Sequence, residues 1–309
     1  GFSPLPGGRA NDSAYGSGPA AEGYNAATGN VTLNISGGGG VAAVRAALAA
    51  PDTQNLNQTT QRLSREAVAG NVQSQYQLGR MYAAGIGVTE NETEARRLFV
   101  AAANQGHVEA SAYAGKFLVY GKGGPVDMPA GLRYAEAAAQ AGSIDAKSML
   151  GVRYMTTAFE TGNNADMPRA VQYLEQAAEA GNAVAQVALG STVYFYGVGG
   201  VARDMVKAVK YSRMGVEQGN PESMDNLGTL MVFGEAAAGG SLSEGWALID
   251  RAAQAGSGRA MWRLGQAKIN GEEGLAKDLP GGLRLARLSA QTGDENGLFL
   301  LAMLTYHGI

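Results

Sequence analysis

The chain of 309 residues carries a formal net charge of −3, 45% hydrophobic residues and no cysteine. The missing cysteines exclude disulfides, thiolate metal ligands and a cysteine nucleophile, and the mildly acidic balance offers none of the basic surface that nucleic-acid binding requires. No run approaches the roughly 18 apolar residues of a membrane span.

Residues 1–40 read as a flexible tail. The stretch GGRANDSAYGSGPAAEGYNAATGN is rich in small and polar residues without apolar periodicity, so burial cannot offset its ordering entropy. NVTLNIS could form a short strand ahead of the Gly37–Gly40 run. That run has the position of an anion-binding loop, but no Gly-Lys-Ser/Thr follows, and it reads as a linker. Residues 41–69 read as a divergent N-terminal helical cap, with VAAVRAALAA and NLNQTTQRLSREAVA separated by Pro51 and Asp52.

From residue 70 onward the chain is periodic. Gly70, Gly106, Gly142, Gly181, Gly219, Gly256 and Gly293 mark units spaced 36, 36, 39, 38, 37 and 37 residues apart. Nine residues after each anchor comes Gly79, Gly115, Gly151, Gly190, Gly228 or Gly265, with Ala302 in the seventh unit. Six of the seven residues that follow the anchors are ordinary N-cap types, and His107 is the exception. Fifteen residues before each anchor stands Asn55, Asn91, Asp127, Asp166, Asp204, Ser241 or Asp278, a second set of caps. Each anchor therefore ends one helix and the next residue starts another. The second glycine marks a close helix–helix approach, and Gly85 sits in the turn between helices. The expected fold is all-α: a right-handed α/α solenoid of about six to seven antiparallel helix pairs over residues 70–309.

The text GNVQSQYQLGRMYAAGIGVTENETEARRLFVAAANQG, and again GNAVAQVALGSTVYFYGVGGVARDMVKAVKYSRMGVEQG, resembles the Sel-one-like repeat, a subclass of tetratricopeptide-like helical repeats. The resemblance implies a concave face and a role as adaptor, scaffold or regulator, in bacteria often in the periplasm, at the envelope or toward a host. Three units depart from the pattern. The third is long and lacks the usual turn glycine in YMTTAFETGNNAD, the fifth carries GEAAAGGSLSEG in its turn, and the last stops at TYHGI. A disulfide-rich branch of the family is excluded by the lack of cysteine.

Neither histidine suggests chemistry: His107 falls at a cap, and His307 lies 200 residues away. The pairs Glu92/Glu94 and Glu272/Glu273 read as helix-dipole compensation and solubility. The Asn-X-Ser/Thr triplets at Asn11, Asn30, Asn34, Asn57 and Asn91 read as chance and capping. No catalytic, cofactor-binding or metal residue is assigned, and no cofactor is expected. The candidates are partner-binding residues on the first helix of each unit: Tyr76, Arg80, Tyr113, Lys116, Met149, Tyr194, Asn226, Arg263 and Gln266. Such residue types are enriched at protein interfaces, whereas Trp262 and Phe299 could instead belong to the inter-repeat core.

The expected function is a non-enzymatic scaffold or adaptor that binds a protein or peptide along the concave face, without nucleic acid. Abundant alanine and few lysines favour a periplasmic, outer-membrane-associated or secreted bacterial protein. GFSPL could follow a removed lipidated cysteine, which would make the tail a membrane tether. The rivals are an assembly component that uses its loops or convex face, around Thr156–Ala165 and Glu235–Leu242, and a cell-wall-directed hydrolase.

Overall fold

The computed structural model describes residues 53–306, other than 235 and 273, and a short antiparallel pairing of Tyr24–Asn25 (β1) with Asn30–Val31 (β2). The rest of the expected tail, the Gly37–Gly40 run and His307 lie outside the described residues. Two compact units divide the chain after Asn182. The first contains α1 (Thr53–Val68), α2 (Val72–Ala84), α3 (Glu92–Asn104), α4 (Val108–Val119), α5 (Met128–Gln140), α6 (Ile144–Thr161) and α7 (Met167–Glu179). The second contains α8 (Ala183–Ala188, continued by a π-helical stretch, Leu189–Gly197), α9 (Met205–Glu217), α10 (Pro221–Val232), α11 (Leu242–Gln254), α12 (Gly258–Asn270), α13 (Leu279–Gln291) and α14 (Glu295–Tyr306). Within each unit every helix packs on its neighbours in sequence, as stacked helix–turn–helix repeats require.

Local chemistry sets the helix boundaries. All seven anchor glycines have φ between 75° and 99°, the left-handed region that a helix C-terminus uses and glycine tolerates. The following residue caps the next helix: Asn71 Oδ1 accepts the Ser74 N–H at 2.9 Å, and Asn220 Oδ1 accepts that of Ser223 at 2.9 Å. Second helices start the same way at Asn91, Asp127, Asp204, Ser241 and Asp278. Two expected caps differ. Asn55 lies inside α1, and Asp166 makes no side-chain capping bond.

The second glycines sit where paired helices cross. A Cβ on Gly79 would come within 2.9 Å of the Phe99 ring, and one on Gly115 within 2.9 Å of the Gly131 carbonyl. Alanine serves the same end on both helices of these pairs, and Ala95, Ala102, Ala110, Ala114 and Ala135 are fully buried. Ala302 in the seventh unit is exposed, because no second helix follows α14 among the described residues.

The irregular units are accommodated by two devices. In the third, α6 continues through Thr161 and ends at Gly162, whose φ of 69° closes the helix. The turn glycine is thus displaced rather than lost, and Thr156–Thr161 is helix where a loop was expected. In the fourth, Gly190 and Gly197 are seven residues apart, whereas Gly79 and Gly85, or Gly115 and Gly121, are six apart. The π-helical stretch spans this interval and absorbs the extra residue within an unbroken helix.

Candidate functional site

In the first two repeats the sequence places an aromatic residue at the sixth or seventh position after the anchor and a cation at the tenth. Tyr76 and Tyr113 come together with ring centroids 6.0 Å apart. Tyr76 also lies 4.4 Å from the His107 ring, and Tyr113 stacks on buried Phe99 at 4.7 Å. Both tyrosines are half-buried, packed against the Phe99–Phe117 core with one side still accessible.

The cations of this face differ from most others in the chain. Arg80 stands over the Tyr76 ring at 5.6 Å, and its Nε and Nη2 are enclosed without a hydrogen-bond partner. Lys116 is exposed along its side chain, yet protein close around its ammonium lowers its pKa by desolvation, reinforced by Lys122 and opposed by Asp145. Burial likewise raises the pKa of Tyr76, against the pull of Arg80. Two acids stand nearby: Glu109, whose Oε2 lies 3.2 Å from His107 Nδ1, and Asp145, whose Oδ1 accepts from Asn182 Nδ2 at 3.5 Å. Met149 is half-buried on α6.

The second unit treats the corresponding positions differently. Asp225 is fully buried and pairs with Arg259 at 2.6 Å and Arg263 at 3.2 Å. Asn226, 8% exposed, accepts from Arg259 Nη2 at 2.5 Å. Arg263 also lies against the Trp262 ring at 5.3 Å. The expectation that Asn226 is a surface residue is therefore corrected, because acid–guanidinium pairing between α10 and α12 closes over it. Gln266 is half-buried on α12.

Tyr194 needs a second correction. It is 4% exposed, is stacked with Tyr211 at 6.1 Å and accepts from Lys207 Nζ at 3.0 Å. Its carbonyl accepts the Asp204 N–H at 2.9 Å, as the Tyr82 carbonyl accepts that of Asn91 and the Leu118 carbonyl that of Asp127. Tyr82 and Leu118 lie twelve residues after their anchors, whereas Tyr194 lies thirteen after Gly181. The π-helical insertion moves Tyr194 one step along, from the expected binding face to the face that packs on α9.

The carboxylates considered in the sequence have structural partners where they are described. Glu92 pairs with Lys122 at 3.0 Å, Glu94 with Arg97 at 2.5 Å, and Glu272 accepts from Asn270 at 2.6 Å. Among the described residues no group of three or more histidines and carboxylates could hold a metal ion, and no helix is long and apolar enough to cross a membrane. Phe299, considered for the core, is 66% exposed on α14.

Comparison with known proteins agrees with this architecture. The chain is similar to a Sel1 repeat protein from Oxalobacter formigenes, with a TM-score of 0.66 at 24% identity, covering 82% of this chain and 99% of that one. It is also similar to c5321, a protective antigen of uropathogenic Escherichia coli strains displaying an SLR fold. There the TM-score is 0.52 at 27% identity, over 79% of this chain and 59% of that one. No curated protein matches it. The Sel1 repeat profile matches residues 72–107, 108–143, 144–182, 183–220 and 258–294, and passes over the α10–α11 pair with its atypical turn. With five matched repeats covering more than half of its length, the chain belongs to the Sel1 repeat family.

Proposed function

We propose that this protein is a scaffold that binds a protein or peptide partner on the first-helix face of its first unit. Sel1 repeats typically mediate protein interactions, which supports the general role. The observation that carries the assignment to one face is the half-exposed Tyr76–Tyr113 pair, flanked by Arg80 and Lys116. Aromatic rings with guanidinium groups form the energetic centres of many interfaces, because they bury large areas at little conformational cost. Met149 extends the surface along α6, whereas Gln266 and Arg263 would belong to a separate surface on the second unit. Abundant alanine and few lysines in the sequence support a bacterial envelope or secreted setting.

The test is site-specific photo-cross-linking in native cells. A benzophenone amino acid would replace Tyr113 in one variant and Val206, which is 72% exposed, in another. A discrete adduct from position 113 and none from 206 is expected. Adducts from 206 alone would transfer the role to the outer surface and sink the assignment.

A further inference from the structure

The guanidinium of Arg80 is an anomaly among the arginines. Arg97, Arg169, Arg259 and Arg263 each meet a carboxylate within 3.2 Å. The Arg80 Nε and Nη2 are enclosed and meet no acceptor. Desolvating a cation without pairing its donors is costly, and buried polar groups in native proteins are rarely left in that state. Neither Glu109 nor Asp145, the acids nearest this face, makes an ion pair with Arg80 among the described residues. The second unit provides the contrast, because its arginines on α12 share Asp225 as an internal partner.

Lys116 occupies the same register position one repeat later, and no ion pair to it is seen among the described residues. Its ammonium is disfavoured by desolvation and by Lys122, so a nearby negative charge would relieve it as well. Arg80 rests on the Tyr76 ring, and leaving that position breaks none of the hydrogen bonds that Nε and Nη2 lack. The guanidinium is held by the Tyr76 ring and hydroxyl, while an acceptor at the face would supply the partners that Nε and Nη2 lack.

We propose that Arg80, together with Lys116, forms a carboxylate subsite that captures an aspartate or glutamate side chain of an extended peptide lying across Tyr76 and Tyr113. A bidentate guanidinium–carboxylate pair would satisfy both idle donors. An internal side-chain carboxylate is favoured over a chain terminus because the two tyrosines belong to successive repeats, and a peptide contacting both must continue past the cation on either side. This inference rests on the scaffold reading and sharpens it to an acidic segment.

The experiment follows the Arg80 Nε–H and Lys116 Nζ resonances in the full chain, labelled at arginine and lysine. Three probes are titrated: acetyl-Ala-Glu-Ala-amide, its Gln counterpart, and acetyl-Ala-Ala-Ala with a free carboxylate. The Glu probe should shift both resonances saturably and raise the Lys116 pKa. The Gln probe should bind about tenfold more weakly or worse, and Arg80→Gln should abolish the difference. Equal responses to the Glu and Gln probes, or no saturable response, would overturn the proposal. A response to the free-carboxylate probe alone would replace the side-chain assignment with a chain terminus. Because Arg80→Met removes two enclosed, unpartnered donors, it should also melt no lower than wild type; a clear fall would mean that the contact with Tyr76 outweighs their desolvation. If Tyr113 cross-links in cells while the Glu probe fails, the binding face stands and the carboxylate subsite alone is lost.

Discussion

The imidazole of His107 caps α4: its Nδ1 accepts the Ala110 N–H at 3.2 Å, while Nε2 lies 3.0 Å from Gln73 Oε1. Asparagine or serine does this work at Asn71, Asn220 and Ser257, so histidine is an unusual choice at a conserved geometric task. The ring adds two things a smaller cap lacks, a face for Tyr76 at 4.4 Å and a bond to the preceding repeat through Gln73. In its neutral form the ring must carry its proton on Nε2, and nitrogen NMR should show an unprotonated Nδ1. His107→Asn should keep the cap but loosen Tyr76, whereas His107→Ala should lose about 1 kcal/mol of stability in urea unfolding. Equal losses for the two variants would show that ring packing, not capping, dominates.

At Gly115 helix propensity and packing predict opposite signs. Gly→Ala in an exposed helix interior gains about 1 kcal/mol. Here the new Cβ would lie 2.9 Å from the Gly131 carbonyl oxygen and 3.0 Å from the Ala135 nitrogen, both backbone atoms. Overpacking of this kind costs about 1–3 kcal/mol, so Gly115→Ala should lower the urea midpoint. Ala302, at the same register position in α14, is exposed. Ala302→Gly should destabilise only by the propensity difference. A stabilised Gly115→Ala would mean that α4 and α5 separate at little cost.

These two sites show what was legible in the sequence. Anchor glycines and caps are imposed by backbone conformation and orphan N–H groups within a few residues, so their chemistry is visible in the text itself. The facing of Tyr194 was not, because a fixed count from Gly181 fails once one extra residue is wound into the helix. Asn226 was missed for another reason. Its burial depends on Arg259, 33 residues away, reaching back across α10, and nothing near Asn226 announces that. Arg80 could be named from its residue type and position, but the lack of partners for its Nε and Nη2 emerges only from the fold.

The buried Asp225 should be among the most sensitive positions of the second unit. Asp225→Ala leaves Arg259 and Arg263 without their shared carboxylate and Asn226 with a weakened neighbour. Removing one partner of a fully buried ion pair costs about 3–5 kcal/mol, and the partial exposure of Arg259 and Arg263 puts the expected loss at or below the lower end of that range. The triple change Asp225→Leu, Arg259→Met and Arg263→Met removes all three charges and should recover most of that loss. Differential denaturation of the single and triple variants decides it. If the triple variant is as weak as the single one, then the hydrogen bonds, not the uncompensated charge, hold α10 to α12.

Acid should release part of the second unit through its capping carboxylates. The Ser241 N–H donates to Glu244 Oε2 at 2.6 Å, while the Glu244 N–H donates to Ser241 Oγ at 3.2 Å. The backbone bond from Ser241, then its hydroxyl, lowers the Glu244 pKa, and the Gly281 N–H does the same for Asp278. A carboxylate held below its unfolded pKa stabilises the folded state above that unfolded value. The contribution disappears as pH falls through the lowered folded value, so melting temperature should drop on acidification. Glu244→Gln should flatten part of that drop while lowering stability near neutrality. If wild type and Glu244→Gln have parallel melting profiles against pH, the capping box does not contribute through charge.

The π-helical stretch makes the most specific prediction, because it attributes a whole structural irregularity to one residue. Deleting Thr192 restores the six-residue interval between Gly190 and the turn glycine that the first, second, fifth and sixth repeats have. Val193 would then stand eleven residues after its anchor, the position of buried Met81, Phe117, Leu230 and Ala267. Tyr194 would stand twelve after it, in register with Tyr82 and Leu118. Both residues would keep the contacts they make now, and only the local winding would change. The deletion should therefore fold with unchanged or higher stability, and backbone chemical shifts over the shortened segment should become those of an ordinary α-helix. A deletion that unfolds the unit would instead show that Ser191 or Thr192 fills a required place, such as the 2.6 Å bond from Ser191 Oγ to the Val187 carbonyl. Tyr194 is decisive between the two: if its ring stays packed on Tyr211 after the deletion, the extra residue is an accommodated insertion, and the binding face of this repeat never included Tyr194.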